Sequence, residues 1–154
     1  MKLTGEFTVK ATRETVFNAL RDARFFASCI DGVHDLNEID ETHYTAVFET
    51  KVAYLKFKFN VTVELTRVEP PNEIEAKVEG VPLGVVGRLT ARSLTRLVDA
   101  GDETKVQYES ESTLAGKLGS IGQPVLRAKA KQMEKEFASR LQAAFAPGSE
   151  GARH

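Results

Sequence analysis

The chain has 154 residues, of which 42% are apolar and 28% are charged, so it is long enough for one domain with a substantial hydrophobic core. Its 21 basic residues nearly balance its 22 acidic residues, which excludes the strong positive field typical of nucleic-acid-binding proteins. A single cysteine, Cys29, excludes an internal disulfide and favours a reducing, cytoplasmic location. No apolar run is long enough to cross a bilayer, and the alternating N-terminus does not resemble a signal peptide.

The first part of the chain predicts one strand followed by two short helices. Residues 3–9 alternate between apolar and polar side chains, with the period of two that is typical of a half-buried strand. Thr12 is a predicted N-cap for the first helix, and Asp22 is a predicted N-cap for a second helix over Ala23–Ile30. The dipeptide Asp31-Gly32 is expected to end the second helix as a turn.

Residues from Val33 to Leu114 predict about six strands in a meander. In the clearest of them the odd-numbered residues from Leu55 to Leu65 are apolar, whereas the even-numbered residues are polar. Such alternation indicates a long antiparallel strand with one dry face and one wet face. In a later strand Leu94 falls on the wet side, which predicts either a bulge or a partly exposed leucine.

The C-terminal part predicts a long helix over Lys117–Ala146, with apolar residues three or four positions apart. Residues 1–146 are therefore predicted to form one domain, and residues 147–154 a flexible polar tail. The fold class is α+β, because a run of strands precedes the one long helix that can cover their apolar face. A long sheet that curls around a single helix encloses more volume than the helix fills, which predicts an apolar cavity.

Four segments in a fixed order carry a family resemblance: MKLTGEFTV at residues 1–9, Cys29–Gly32, Pro70-Pro71, and the segment Leu114–Gly122 that leads into the last helix. In their order and spacing they resemble the START-like helix-grip (SRPBCC) superfamily, and within it the family of CoxG, a subunit of carbon monoxide dehydrogenase. The resemblance implies a curved antiparallel sheet of about seven strands around a long C-terminal helix, with two short helices after the first strand. It also implies a hydrophobic cavity inside.

The function that this resemblance implies is that of a carrier or adaptor rather than an enzyme. Such a protein binds a lipid or quinone-like molecule and serves a membrane-linked molybdenum hydroxylase, peripheral to the inner face of the membrane. The chain departs from the family at two points. Asp31 stands where the family tends to have proline, and longer members continue after the helix into a linker and a membrane-active segment. The resemblance therefore implies the cavity more directly than it implies anchoring by a tail.

The predicted ligand contacts are inward-facing residues of the sheet, the second short helix and the last helix. They are Phe26, Cys29, Ile30, Phe48, Phe57, Phe59, Val61, Leu83, Leu89, Val106, Tyr108, Leu118, Ile121, Met133 and Phe137. Four inward hydroxyls are expected to bind one another, water or a ligand head group: Tyr44, Tyr108, Ser110 and Ser112. The entrance is expected between Phe25–Ile30 and the apolar, glycine-rich segment Val81–Val86, because a solvent loop is rarely so hydrophobic.

Two features leave alternatives open. Phe25 and Phe26 are adjacent, so either one enters the core while the other joins an exposed apolar rim, or both pack against neighbouring loops. The outer face of the last helix is basic, with Arg127, Lys129 and Lys131 among its residues. That face is expected to be solvated, and the alternative is contact with an anionic lipid or an acidic partner.

No residue pattern predicts a metal site or a cofactor site. A two-residue turn at Asp40-Glu41 would place Glu38 opposite His43 and Val47 opposite His34, which separates the two imidazoles. Cys29 has no neighbouring base, so a buried, inert thiol is expected.

No catalytic residues are predicted either. Glu109 and Glu111 share the wet face of their strand, where paired carboxylates are expected to be solvated. The glycines at 80, 84 and 87 are not spaced as in a dinucleotide fingerprint. A carrier is therefore predicted, and the alternatives are an enzyme of the polyketide cyclase/hydrolase type or an interaction module with a filled core.

Overall fold

The computed structural model describes residues 1–146, in which a seven-stranded antiparallel sheet packs around a C-terminal helix. The predicted tail at 147–154 lies outside the described residues. In chain order the elements are β1 (Lys2–Val9), α1 (Arg13–Arg21), α2 (Ala23–Ser28), β2 (Val33–Glu38), β3 (His43–Val52), β4 (Leu55–Glu69), β5 (Glu73–Pro82), β6 (Gly87–Ala100), β7 (Glu103–Gly116), a 3₁₀ turn (Lys117–Ser120) and α3 (Gln123–Ala144). The strand order is β1-β7-β6-β5-β4-β3-β2, so β2 to β7 form a meander and β1 pairs with the free edge of β7. The predicted helix-grip fold is confirmed.

Both predicted helix caps are present. Asp22 Oδ1 accepts a hydrogen bond of 3.0 Å from the Arg24 N–H, and Thr12 Oγ1 accepts one of 3.4 Å from the Thr15 N–H. The second helix ends at Ser28 and not at Ile30 as predicted, because the Ile30 N–H bonds the Ala27 carbonyl in a tighter, three-residue turn. These caps orient α2 against the last helix.

The strand β4 follows the predicted alternation but is longer than expected. Its register with β5 shifts between Leu65 and Arg67, so that Val68 rather than Arg67 packs against the core. Leu55, predicted to be inward, is 50% exposed because it lies at the tip of the β3–β4 hairpin. The β6–β7 register is unbroken at Leu94, which is half-buried on the outer face, so the partly exposed alternative is correct and no bulge forms.

The predicted two-residue turn between β2 and β3 is wrong. Glu38 pairs with Tyr44 rather than with His43, because Asp40 closes a wider loop by accepting hydrogen bonds from the Thr42 N–H at 2.8 Å and from His43 Nδ1 at 2.9 Å. A register shift after His34 compensates, so His34 does pair with Val47 as predicted. The two histidines therefore lie at different ends of the hairpin.

The last helix begins later than predicted. Lys117 to Ser120 form a 3₁₀ turn, and α3 starts only at Gln123, after a break at Gly122. Pro124 fits the first turn of α3, where its missing N–H has no helical partner to lose. The C-terminal half of α3 is held firmly, since Leu141 is fully buried with Val16 and Phe17 of α1 in the main core. This core closes one end of the sheet and leaves space beside the middle of α3.

Candidate functional site

A cavity of about 280 Å³ lies between the inner face of the sheet and the helices α2 and α3. It is lined by Phe7, Leu20, Phe26, Ile30, Tyr44, Val63, Leu65, Ile74, Ala76, Val78, Ser93, Thr95, Val106, Tyr108, Glu109, Ser110, Met133, Glu134 and Phe137. Its walls are mostly apolar, with a few polar groups, which is the composition typical of small-molecule sites. The volume is close to the lower limit of such sites, roughly 300 Å³.

The cavity exists because small side chains lie on the sheet where it faces α3. Ala76 of β5 and Ser93 of β6 are directly paired, so neither reaches far toward the helix. Larger residues surround them, such as Ile74 on the same strand. Across the space, Met133 and Phe137 project from the same face of α3, four residues apart. Small residues opposite a rigid helix leave a space that these side chains cannot fill.

Two tyrosines bring hydroxyl groups into the apolar walls. Burial raises the pKa of Tyr44 to about 12, because the phenolate is poorly solvated there. Burial also raises the pKa of Tyr108, and the negative charge of Glu134 raises it further. Both phenols are therefore neutral hydrogen-bond donors over the whole physiological pH range.

Glu134 is the polar residue that the sequence analysis missed. It lines the cavity from α3, and its Oε1 is buried without a hydrogen-bond partner among residues 1–146. Burial raises the pKa of its carboxyl group, whereas Lys131 and the Tyr108 hydroxyl oppose that rise. A signal for it existed: Glu134 follows Ala130 by four residues and precedes Phe137 by three, which places it on the apolar face of the helix.

A second cavity of about 220 Å³ adjoins the first. Ile30 and Met133 line both cavities, so these two side chains separate them. The second cavity continues past Cys29 and Phe48 to Lys51, near the end of β3. Cys29 is 3% exposed, and burial raises the pKa of its thiol, as expected for an inert cysteine.

The structure divides the fifteen predicted contact residues among three places. Six line the first cavity: Phe26, Ile30, Val106, Tyr108, Met133 and Phe137. Cys29 and Phe48 line only the second cavity, where Ile30 and Met133 recur. Seven line neither of the two: Phe57, Phe59, Val61, Leu83, Leu89, Leu118 and Ile121. Contact of any of these residues with a ligand stays a prediction.

The residues outside the cavities pack against one another at the far end of the sheet. The rings of Phe57 and Phe59 are 6.1 Å apart, and those of Phe48 and Phe59 are 6.2 Å apart. A Cβ on Gly80 would meet Phe59 and Leu89 at 3.5 Å, so little free space remains there. The inward face was predicted correctly, but it is filled with aromatic side chains at this end.

Both adjacent phenylalanines of α2 pack against the C-terminal part of the chain. The ring centroids of Phe26 and Phe137 are 5.1 Å apart, and those of Phe25 and Phe145 are 5.9 Å apart. The alternative in which both rings pack is therefore correct, and an exposed rim that includes Phe25 is not. The predicted entrance at Val81–Val86 is also wrong, because that segment does not line the cavity.

The segment Val81–Val86 instead contributes to an exposed apolar surface at the tips of two neighbouring hairpins. We call this the hairpin-tip surface, and it consists of Tyr54, Leu55, Leu83, Val85 and Val86. The Leu83 N–H donates to the Lys58 carbonyl at 2.8 Å, which holds the two hairpins together. Tyr54 and Val86 are 84% and 77% exposed. Exposed lysines at positions 51, 56, 58 and 117 flank the surface.

Neither histidine is part of a metal-binding cluster in the described part of the chain. His34 Nε2 lies 2.5 Å from Glu49 Oε2, and His43 contacts Asp40. Among residues 1–146 no group of three or more His, Cys, Asp or Glu side chains is arranged to hold a metal ion. Within the same range, no helix is both long and apolar enough to cross a membrane.

Comparison with known proteins agrees with this architecture. The family model for CoxG, the carbon monoxide dehydrogenase subunit of that name, matches residues 5–146. A conserved protein from Geobacillus kaustophilus is 28% identical with a TM-score of 0.83, over 92% of this chain and 93% of that one. The ZhuI aromatase/cyclase from Streptomyces sp. R1128 is 12% identical with a TM-score of 0.68, over 97% and 98% of the two chains. Truncated norcoclaurine synthase from Thalictrum flavum is 14% identical with a TM-score of 0.57, over 92% of each chain. No curated protein is significantly similar in sequence.

Proposed function

Because the chain belongs to the CoxG family of carbon monoxide dehydrogenase subunits, we propose that it is a carrier that binds a lipid or quinone-like molecule. The observation that carries this proposal is the mostly apolar cavity between the sheet and α3. Transfer of an apolar ring or chain from water into such walls contributes roughly 25 cal/mol per Å² of buried surface. The few hydroxyl and carboxyl groups in the walls orient the ligand.

The sizes of the two cavities favour a ligand with a ring and a chain. The first cavity, about 280 Å³, accommodates one ring with short substituents, and the second adds about 220 Å³. Rotation of the flexible Met133 side chain would join the two spaces. The proposed ligand therefore places its head group near Tyr108 and extends its chain past Cys29 toward Lys51.

Native mass spectrometry of the protein purified under mild conditions tests this proposal. A co-purifying apolar molecule, or uptake of added alkylated quinone, is the expected result. Ala76→Phe fills the first cavity and is expected to abolish binding, whereas Ala100→Phe, on the exposed end of β6, is its matched control. Circular dichroism verifies that both variants fold. A folded wild-type protein that takes up no apolar molecule would contradict the carrier function.

The proposed carrier meets its ligand at the membrane through the hairpin-tip surface. Exposed apolar side chains flanked by lysines match the chemistry of an anionic lipid surface, which attracts basic residues and accepts apolar ones. The second cavity reaches Lys51, three residues before Tyr54, so its far end lies close to this surface. The proposed location is thus the cytoplasm, peripheral to the inner face of the membrane.

Sedimentation with vesicles tests the membrane contact. We expect the protein to sediment with vesicles that contain phosphatidylglycerol and to remain in solution with pure phosphatidylcholine. Val86→Ser is expected to weaken sedimentation, whereas Ile39→Ser, at the opposite end of β3 and 60% exposed, is expected to have no effect. Equal losses in the two variants would argue against a specific surface.

The proposed protein partner is a molybdenum hydroxylase, and support for it comes from the family alone. Mixing the chain with the purified hydroxylase of the same organism and measuring co-elution tests this partner. Co-elution that depends on the chain concentration is expected. Independent elution at micromolar concentrations would argue against an adaptor function.

Catalysis is the second candidate function, and one observation favours it. A carboxyl group with a raised pKa beside a phenol in an apolar cavity is a pair able to transfer protons. We propose that the carrier performs no turnover, because the pair has no assigned substrate. Conversion of any bound ligand that is lost in Tyr108→Phe would overturn this and establish an enzyme.

A further inference from the structure

The buried carboxyl group of Glu134 has a consequence for the ligand, which rests on the carrier function proposed above. Glu134 extends from α3 into walls formed largely by Phe, Leu, Ile and Val side chains. A carboxylate in such surroundings is unfavourable unless it is hydrogen-bonded. Its Oε1 has no such partner among residues 1–146. A buried acceptor without a donor is the mark of a site that a ligand completes.

Tyr108 lies close enough for its hydroxyl group to interact with the Glu134 carboxyl group. The ring of Tyr108 extends across Gly5 of the neighbouring strand β1, where a side chain would collide with it. Phe7 packs beside the ring with centroids 6.1 Å apart. The phenol is thus held in one place, and its hydroxyl group can satisfy only part of the carboxylate.

The charge around Glu134 favours an acceptor. Lys131, one turn earlier on the same helix, lowers the carboxyl pKa and opposes the effect of burial. Among the described residues no lysine, arginine or histidine lines the cavity itself, since Glu109 and Glu134 are its only charged lining residues. A neutral hydroxyl group is therefore a better partner for the free oxygen than a second carboxylate or a carbonyl, which has no proton to donate.

We propose that Oε1 of Glu134 accepts a hydrogen bond from a hydroxyl group of the ligand, so that the cavity prefers the alcohol, phenol or quinol form of an apolar molecule over its carbonyl form. With a carbonyl ligand, two acceptors face each other and neither is satisfied. A hydrogen bond to a charged group, compared with its absence in a buried site, changes affinity by roughly 10- to 100-fold. The carrier then distinguishes the reduced from the oxidised form of one skeleton.

Three redox-stable probes test this preference: 4-butylcyclohexanol, 4-butylcyclohexanone and butylcyclohexane. Isothermal titration at pH 8 is expected to give the alcohol at least tenfold tighter binding than the ketone. Glu134→Gln, whose amide group can donate to the ketone, is expected to remove or reverse the preference. Glu136→Gln, two residues away and outside the first cavity, is the matched control and should keep it.

The outcomes separate this inference from the carrier function. If the three probes bind wild-type protein equally, the carboxyl preference is overturned and the apolar carrier remains. A preference that persists in Glu134→Gln also overturns the assignment to Glu134. If no probe binds to folded wild-type protein, both the carrier function and the preference fail.

Discussion

Tyr108 of β7 occupies the space that the missing side chain of Gly5 leaves on β1, and the two residues are directly paired across the strands. A Cβ built on Gly5 would lie 2.5 Å from Cζ of Tyr108. The glycine therefore determines where the phenol lies in the cavity, although it makes no polar contact itself. This pair connects a small residue in the first strand to the polar end of the candidate site.

Replacing Gly5 tests this relationship directly. Gly5→Ala is expected to displace the Tyr108 ring and to lower the free energy of unfolding by roughly 1–3 kcal/mol, the usual effect of overpacking. It should also weaken the preference for hydroxyl-bearing probes. Gly122→Ala is the control, since a Cβ there meets only Pro124 at 3.8 Å. If Gly5→Ala unfolds at the same urea concentration as wild type, the contact does not constrain Tyr108.

Shortening Met133 is expected to change the length of ligand that binds. Met133→Ala removes part of the wall between the two cavities, so affinity for a probe with a long alkyl chain should rise relative to a short one. Val125→Ala, on an exposed part of the same helix, should leave the ratio unchanged. Affinities for alkylcyclohexanols of increasing chain length measure the effect. An unchanged ratio in Met133→Ala would show that the chain leaves by another path.

The buried phenol of Tyr44 predicts a loss of stability in strong base. Its pKa is raised from 10.0 to about 12 in the folded protein, so the unfolded chain ionises first as the pH rises. The free energy of unfolding is therefore unaffected by Tyr44 below pH 10 and falls between pH 10 and about 12, by up to about 2–3 kcal/mol. Urea unfolding measured at several pH values should show this fall in wild type and less of it in Tyr44→Phe.

The control for this titration is Tyr54→Phe, because Tyr54 is 84% exposed on the hairpin tip. Its pH dependence should match that of wild type. If Tyr44→Phe and Tyr54→Phe lose stability equally between pH 10 and 12, then burial of Tyr44 is not the cause.

Cys29 is expected to react slowly with alkylating reagents. It is 3% exposed, and burial lowers the fraction of reactive thiolate at any given pH. Iodoacetamide should therefore label the native protein much more slowly than the urea-unfolded protein, and the native rate should still be rising above pH 9.0. A ligand chain in the second cavity, which Cys29 lines, should slow labelling further. Rapid labelling of native protein at pH 7 would contradict an inert thiol.

The strands and their inward faces could be predicted because a period of two is a local property of the chain. The alternation from Phe57 to Leu65 predicts the inner face of β4, and the caps Thr12 and Asp22 predict where α1 and α2 begin. The β2–β3 loop was predicted less well. There the hydrogen bonds of Asp40 select a wider turn, and a bulge restores the register of His34, and neither effect leaves a periodic signal.

The location of the cavity within the inner face could not be predicted from alternation. Phe59 and Val63 share the same face of β4, yet Phe59 is packed in an aromatic cluster whereas Val63 lines the cavity. The difference depends on the partner strands, since Ala76 and Ser93 are small where Gly80 and Leu89 pack closely. Such pairings join residues that are distant in sequence.

The sequence by itself determined the order of the elements, the inward side of most strands and the family, because these depend on local periodicity and on segments of fixed spacing. Only the tertiary structure decided what the inward side encloses. The break at Gly122 and the burial of Leu141 determine how α3 lies across the sheet, and this orientation directs Glu134 toward Tyr108. A helical carboxylate three residues before Phe137 would be ordinary in solvent; its position opposite small residues of β5 and β6 makes it the polar end of a cavity.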